Sequence, residues 1–102
     1  MKVGLIFDLA NPAPWRRPGA EVYEEALTMA EEVEALGYDS IWVRDHLVYW
    51  PHEYEDADRT WFDPYVVLSA AAARTTRLAL GGATLIPLRH PIHDAQLLAS
   101  LA

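Results

Sequence analysis

The chain reads as a parallel α/β protein built from three successive βα units. Three observations lead there: short, nearly continuous apolar runs alternate with segments of helical period; strand starts fall near residues 2, 40 and 77; and polar residues gather where each apolar run ends. The spacing leaves room for a crossover of about 30 residues or more between parallel strands. With 102 residues there is space for one small domain with a modest core.

Lys2 to Leu9 is apolar apart from its ends and is closed by Asn11-Pro12-Ala13-Pro14. That pattern fits a strand buried on both faces, as in parallel sheets. From Ala20 the period changes to helical: Val22, Ala26, Leu27, Ala30, Val33 and Leu36 make one face, and glutamates from Glu21 to Glu34 fill the other. Gly37 stops this helix as a C′ glycine. Ile41-Trp42-Val43 forms the second strand, ending at Arg44-Asp45-His46. Residues 47 to 61 form a long aromatic and acidic segment, of a length that compact chains reserve for functional or mobile loops. Asp63-Pro64 then combines an N-cap with an N1 proline, opening a second helix that continues to about Thr75. Leu78 to Ile86 is the third strand, with Gly81-Gly82 in its middle, and Pro91 opens a third helix through Ile92, Ala95, Leu97, Leu98 and Leu101.

Composition removes several function classes. Eight basic against 15 acidic side chains give a net charge of −7, and one lysine with scattered arginines cannot neutralise a phosphate backbone, so no nucleic-acid partner is expected. No apolar stretch approaches the roughly 18 residues a membrane span requires, and the amino-terminal run is too short for a signal peptide. The absence of cysteine rules out disulfides, thiolate metal sites and a cysteine nucleophile, and makes a reducing cytoplasm the expected location.

Parallel α/β folds bind ligands at the C-terminal edge of their strands. Three places qualify: residues 7 to 11, Arg44-Asp45-His46, and Gly82-Ala83-Thr84-Leu85. Asp45-His46 is the leading catalytic pair, since an imidazole beside a carboxylate exchanges protons near neutral pH. Adjacent strand residues point to opposite faces, so the alternative is a pair of polar residues bonded to backbone. Gly81-Gly82 is no phosphate loop, because neither glycine fingerprint surrounds it; such glycines mark a bulge or a close approach by a ring or a packing helix. His52 with Glu53, Glu55, Asp56 and Asp58, and the pair His90 and His93, lack the spacing of a calcium or zinc site, so no metal is expected. Trp15, Trp50 and Trp61 either wall an apolar pocket or pack over the sheet. No Gly-x-Ser-x-Gly nucleophile elbow is present.

Three stretches, taken in order, closely resemble the amino-terminal part of the bacterial luciferase-like family: Lys2-Val3-Gly4-Leu5-Ile6-Phe7, Leu36-Gly37-Tyr38-Asp39-Ser40-Ile41-Trp42-Val43-Arg44-Asp45-His46, and Ala72 to Leu85 followed by Pro87-Leu88-Arg89-His90-Pro91. The resemblance covers nearly the whole chain. It implies a flavin- or deazaflavin-dependent monooxygenase or oxidoreductase on a TIM barrel, with residues 1–102 as the first three units of the (β/α)8 domain and incomplete as given. It further implies FMN or a deazaflavin coenzyme, a nicotinamide reductant in the parent enzyme, and a small organic substrate with O2 or a deazaflavin as partner.

By position, His46 matches the histidine that lies by the reactive ring carbon in the family's deazaflavin-using members, Asp45 a cofactor-contacting acid, and Trp50 the place where those members often carry a ring-wall tryptophan. Gly82, Ala83 and Thr84 match the strand bulge that backs the ring, where the family carries a non-prolyl cis peptide; its counterpart is the Ala83–Thr84 bond. Family barrels continue for about another 200 residues, including their phosphate-gripping loops, so the 102-residue chain alone is expected to be inactive. The competing reading is a small non-catalytic α/β module that self-associates as a homo-oligomer to cover its open sheet edges. A flavodoxin-like or receiver-like domain fits poorly, because residues 11 to 14 form neither a phosphate loop nor an acidic pocket.

Overall fold

A computed structural model describes residues 1–7, 9–12, 17–47 and 59–102. Asp8, Trp15, Trp50, His52 and the acids from Glu53 to Asp58 lie outside the described residues. The chain runs β1 (Gly4–Phe7), β2 (Ala10–Pro12), α1 (Gly19–Ala35), β3 (Ser40–Arg44), β4 (Arg59–Trp61), α2 (Pro64–Ala72), β5 (Ala79–Ala83) and α3 (Pro91–Leu101). Strands β1, β3 and β5 form a parallel sheet in that order, as expected from the βα alternation. The register aligns Gly4 with Ser40 and Ala79, Ile6 with Trp42 and Gly81, and Arg44 with Ala83.

The strand period of two divides this sheet into unequal faces. Ile41 and Val43 are 0% and 2% exposed and join Val22, Ala26, Ala30 and Val33 of α1 and Val67, Leu68 and Ala71 of α2 in the core. On the other face Ile6 is 60% and Trp42 42% exposed. Among the described residues, the core therefore covers one face of these apolar strands only. Trp42 lies flat across the open face, its Nε1 donating to Ser40 Oγ at 2.9 Å and its ring placed where a side chain on Gly81 would stand. The close approach marked by the glycine pair is thus Trp42 at Gly81, while a Cβ on Gly82 would meet Leu85.

Helix ends follow local chemistry. Gly37 takes φ +88°, and the bonds Gly37 N–H to Glu34 O and Tyr38 N–H to Val33 O, at 3.1 and 3.2 Å, complete a Schellman motif. Asp63 caps α2 by accepting from the N–H groups of Tyr65 and Val66 at 2.9 and 3.4 Å. This helix stops at Ala72 rather than Thr75, because Arg74 and Thr75 already turn back to the Ala71 carbonyl. The third strand stops at Ala83, since Thr84 takes a left-handed φ that no strand continues. The small antiparallel pairing of β2 with β4, Ala10 to Trp61 and Asn11 to Thr60, was not expected from the sequence. Asn11 anchors its outer end, exchanging hydrogen bonds with the Arg17 main chain at 2.7 and 3.0 Å.

Candidate functional site

Where β3 ends, the chain sends its three polar residues two ways, Arg44 and His46 to one side and Asp45 to the other. Arg44 places its guanidinium 5.6 Å from the Trp61 ring centre. His46 stacks on the same indole, ring centres 4.1 Å apart and planes 20° from parallel. Asp45 turns inward and is 5% exposed. Asp45 and His46 therefore diverge, as adjacent strand residues do, one into the protein and one onto an aromatic wall supplied by β4.

The inward carboxylate is fully used. Its Oδ2 accepts from the Ile86 N–H at 2.9 Å and from Arg89 Nη1, and its Oδ1 from Arg89 Nη2 at 3.1 Å. Arg89 Nη2 also reaches Asp63 Oδ2 at 2.8 Å, and its guanidinium lies 5.4 Å from the Tyr65 ring centre. Tyr65 in turn donates to Asp94 Oδ1 at 3.0 Å, which carries the network into α3. Burial pushes the Asp45 carboxyl upward, but the Arg89 hydrogen bonds, the Ile86 N–H and the charge of Arg89 outweigh it and hold the group below its ordinary value. The bond to Asp45 raises Arg89 correspondingly, so the pair stays ionised. Burial, followed by the bond to Asp94, raises the Tyr65 hydroxyl.

Beside this network, β5 ends in strain. Thr84 has φ +72°, a left-handed conformation that costs a β-branched residue on the order of 1–3 kcal/mol. Ala83, its neighbour, pairs with Arg44, so the bend stands one ladder step from the segment carrying Asp45 and His46. The structure thus brings Asp45, His46, Gly82, Ala83 and Thr84 to one sheet edge. Trp50 lies outside the described residues. The Asp45 side chain is 1% exposed, so any contact it makes with a cofactor has to come from its main chain.

Sequence reasoning missed Arg89, Ile86 and the second use of Asp63. No local signal marked Arg89: it lies between a strand end and a helix start, and the fold alone places Asp45 beside it. His90 spends Nδ1 on capping α3, accepting from Ile92 N–H at 3.3 Å, with His93 5.4 Å away between ring centres. Among the described residues, no group of three or more metal-ligating side chains comes together, and no helix is long and apolar enough to cross a membrane.

The family model of the luciferase-like monooxygenases matches residues 1–102. The chain belongs to the luciferase-like monooxygenase family. Among solved structures, this luciferase-like chain is similar to the oxygenating constituent of 3,6-diketocamphane monooxygenase, a type II Baeyer-Villiger monooxygenase from the CAM plasmid of Pseudomonas putida in complex with FMN. The TM-score is 0.73 at 23% identity, over 99% of this chain and 26% of that one. The luciferase-like segment therefore has the fold of the start of that enzyme and spans about a quarter of its length. No curated protein sequence matches significantly.

The described residues fit the planar part of a flavin better than its phosphate. Small Ala83, the exposed Thr84 bend and the flat His46–Trp61 stack offer a backbone platform and an aromatic side to a ring. The nearby N-termini of α2 and α3 are already filled by Asp63 and His90 and offer no anion site.

Proposed function

We propose that this chain supplies one wall of a flavin site in a flavin-dependent monooxygenase. Ala83 and Thr84 would back the isoalloxazine ring, with Gly82 keeping Leu85 packed beneath them. The single observation behind this reading is the left-handed Thr84 at a strand end, one ladder step from the segment that bears His46. Strain of this kind persists only where the surroundings over-determine it, and it concentrates at binding sites.

In this reading FMN is the cofactor, with a deazaflavin coenzyme as the alternative that the Asp-His pair also suits. The bound ring would supply the electron transfer and oxygen chemistry. His46 would hold or release a proton at the ring edge, its plane set by the stack on Trp61. Asp45 would act from behind, fixing the backbone on both sides of the bend. Trp50 would add a further wall. The parent reaction would use a small organic substrate, O2 and a nicotinamide reductant in the cytoplasm. At −7 net charge, neither nucleic acid nor an anionic membrane surface is a partner. The helix N-termini beside this edge, those of α2 and α3, are capped by Asp63 and His90, so the 102-residue chain alone should bind FMN weakly and turn over little.

Titrating the isotope-labelled chain with FMN tests this, followed by NMR at His46, Ala83 and Thr84. Shifts confined to this edge and lost in His46→Ala are expected. Shifts centred elsewhere, or none at millimolar FMN, would refute the assignment, and a stronger response to a deazaflavin would select that coenzyme. A second reading has its own observation: among the described residues β1 and β5 each have one strand neighbour, and Ile6 and Trp42 are exposed on one face of the sheet. A self-associating module would cover these. Sedimentation showing a defined homo-oligomer without FMN affinity would favour it over the flavin site.

A further inference from the structure

The Thr84 bend has few things to hold it. Downstream, the Leu88 N–H bonds to the Ile86 carbonyl at 2.8 Å, but this ties the turn only to itself. Leu85 packs back over Gly82 of β5, the strand the turn leaves. Among the described residues, the hydrogen bond that links the turn to the rest of the protein is Ile86 N–H to Asp45 Oδ2, two residues beyond Thr84 and one before His46. Asp45 therefore pins both segments at once, and it does so as a buried carboxylate, which needs a fixed countercharge. Arg89 provides one. Its fork meets both Asp45 oxygens and extends to Asp63 at the N-terminus of α2, with the Arg89 side chain 18% exposed.

We propose that Arg89 is the positioning residue of this edge: by joining Asp45 to Asp63 it holds Thr84 in its left-handed conformation and keeps His46 on Trp61. Among the described residues, the hydrogen bonds of Arg89 go to Asp45 and Asp63, so it acts on the bend through Asp45. The two-carboxylate fork is what a lysine cannot reproduce, because an ammonium is a point charge and not a planar pair of donors. Removal of the guanidinium leaves the carboxylate to protonate or swing toward water. Ile86 then loses its anchor and Thr84 relaxes toward an extended φ. The inference rests on the flavin reading for its purpose, but its structural content is separate.

The test compares Arg89→Met, Arg89→Lys and Asp63→Asn with wild type in the full 102-residue chain, first without ligand and then with FMN as probe. The Cα and Cβ shifts of Thr84 report its backbone conformation, and the His46 ring protons report the ring current of Trp61. In Arg89→Met, Thr84 should move to extended-type shifts and His46 should lose its upfield displacement while the core methyl spectrum stays native. Arg89→Lys should restore part of both, and Asp63→Asn should move both least. Wild-type Thr84 and His46 shifts in a folded Arg89→Met chain would overturn the proposal. Loss of the native spectrum in both Arg89 variants would overturn it too, since Arg89 would then support the fold at large. Failure of the wild-type chain to respond to FMN would count against the flavin reading, and the ligand-free shifts would still decide the role of Arg89.

Discussion

Carboxylates gather main-chain N–H groups at both edges of the parallel sheet, in water at one and out of it at the other. On the N-terminal side, Glu34 accepts from the N–H groups of Thr76 and Leu78 at 2.9 and 3.1 Å as well as from that of Arg77. Asp39 accepts there from Val3 N–H at 2.7 Å. Neither is buried, and the left-handed residue on that side is a glycine, Gly37. On the C-terminal side Asp45 is buried against Arg89, and the left-handed residue is a threonine. Solvated charge and a relaxed turn serve stability at low cost. A desolvated ion pair and a strained turn are poor ways to gain stability, and they occur where parallel α/β folds bind ligands.

Removing one partner of the desolvated pair gives the largest expected effect. Asp45→Ala leaves Arg89 with only Asp63 and should destabilise the chain by about 3–5 kcal/mol, read as a lower urea midpoint. Glu34→Ala removes bonds that water can replace and should move the midpoint clearly less, although it loses more N–H partners. An equal loss in the two variants would erase the distinction between the edges.

Acid should show the same contrast. The folded-state carboxyl of Asp45 lies below the unfolded value near 3.8, so the folded protein binds this proton less readily than the unfolded chain. Its stabilisation is therefore present above pH 3.8 and disappears as the pH falls through the folded value. Urea midpoints of wild type and Asp45→Asn should differ at neutral pH and converge below that point. A gap that stays constant to lower pH would mean that Asp45 is not the ionised member of the pair.

The three parallel strands and three helices were legible because each carries a local signal, such as the helical period of Val22, Ala26, Ala30 and Val33 or the Asp63-Pro64 start. The edge position of Asp45, His46 and Thr84 was legible too, from strand ends and the family motifs. The β2–β4 pairing was not: Ala10-Asn11-Pro12 has no alternation and contains a proline, and its partner is a three-residue stretch far along the chain. The strands alone did not show which face of the sheet is covered, because a continuous apolar run looks the same on both faces. Arg89 was hidden for a different reason. Its local sequence spells a helix entry, while its meaning depends on an acid placed beside it only by the fold.

The smallest expected effect is the sharpest test of strain. Gly37 and Thr84 share a left-handed φ, +88° and +72°, with glycine at one edge and threonine at the other. Gly37→Ala should cost about 1 kcal/mol, the ordinary penalty for a Cβ at positive φ. At an unstrained exposed site, replacing threonine by glycine also costs about 1 kcal/mol, through the freedom gained by the unfolded chain. At Thr84 the released strain, about 1–3 kcal/mol, opposes that cost, so Thr84→Gly should be neutral or stabilising by up to about 2 kcal/mol. Its benefit should come with a looser platform, seen as faster amide exchange at Ala83 and Leu85. If Thr84→Gly instead destabilises as Gly37→Ala does, the bend stores no strain and the two edges differ only in their charges.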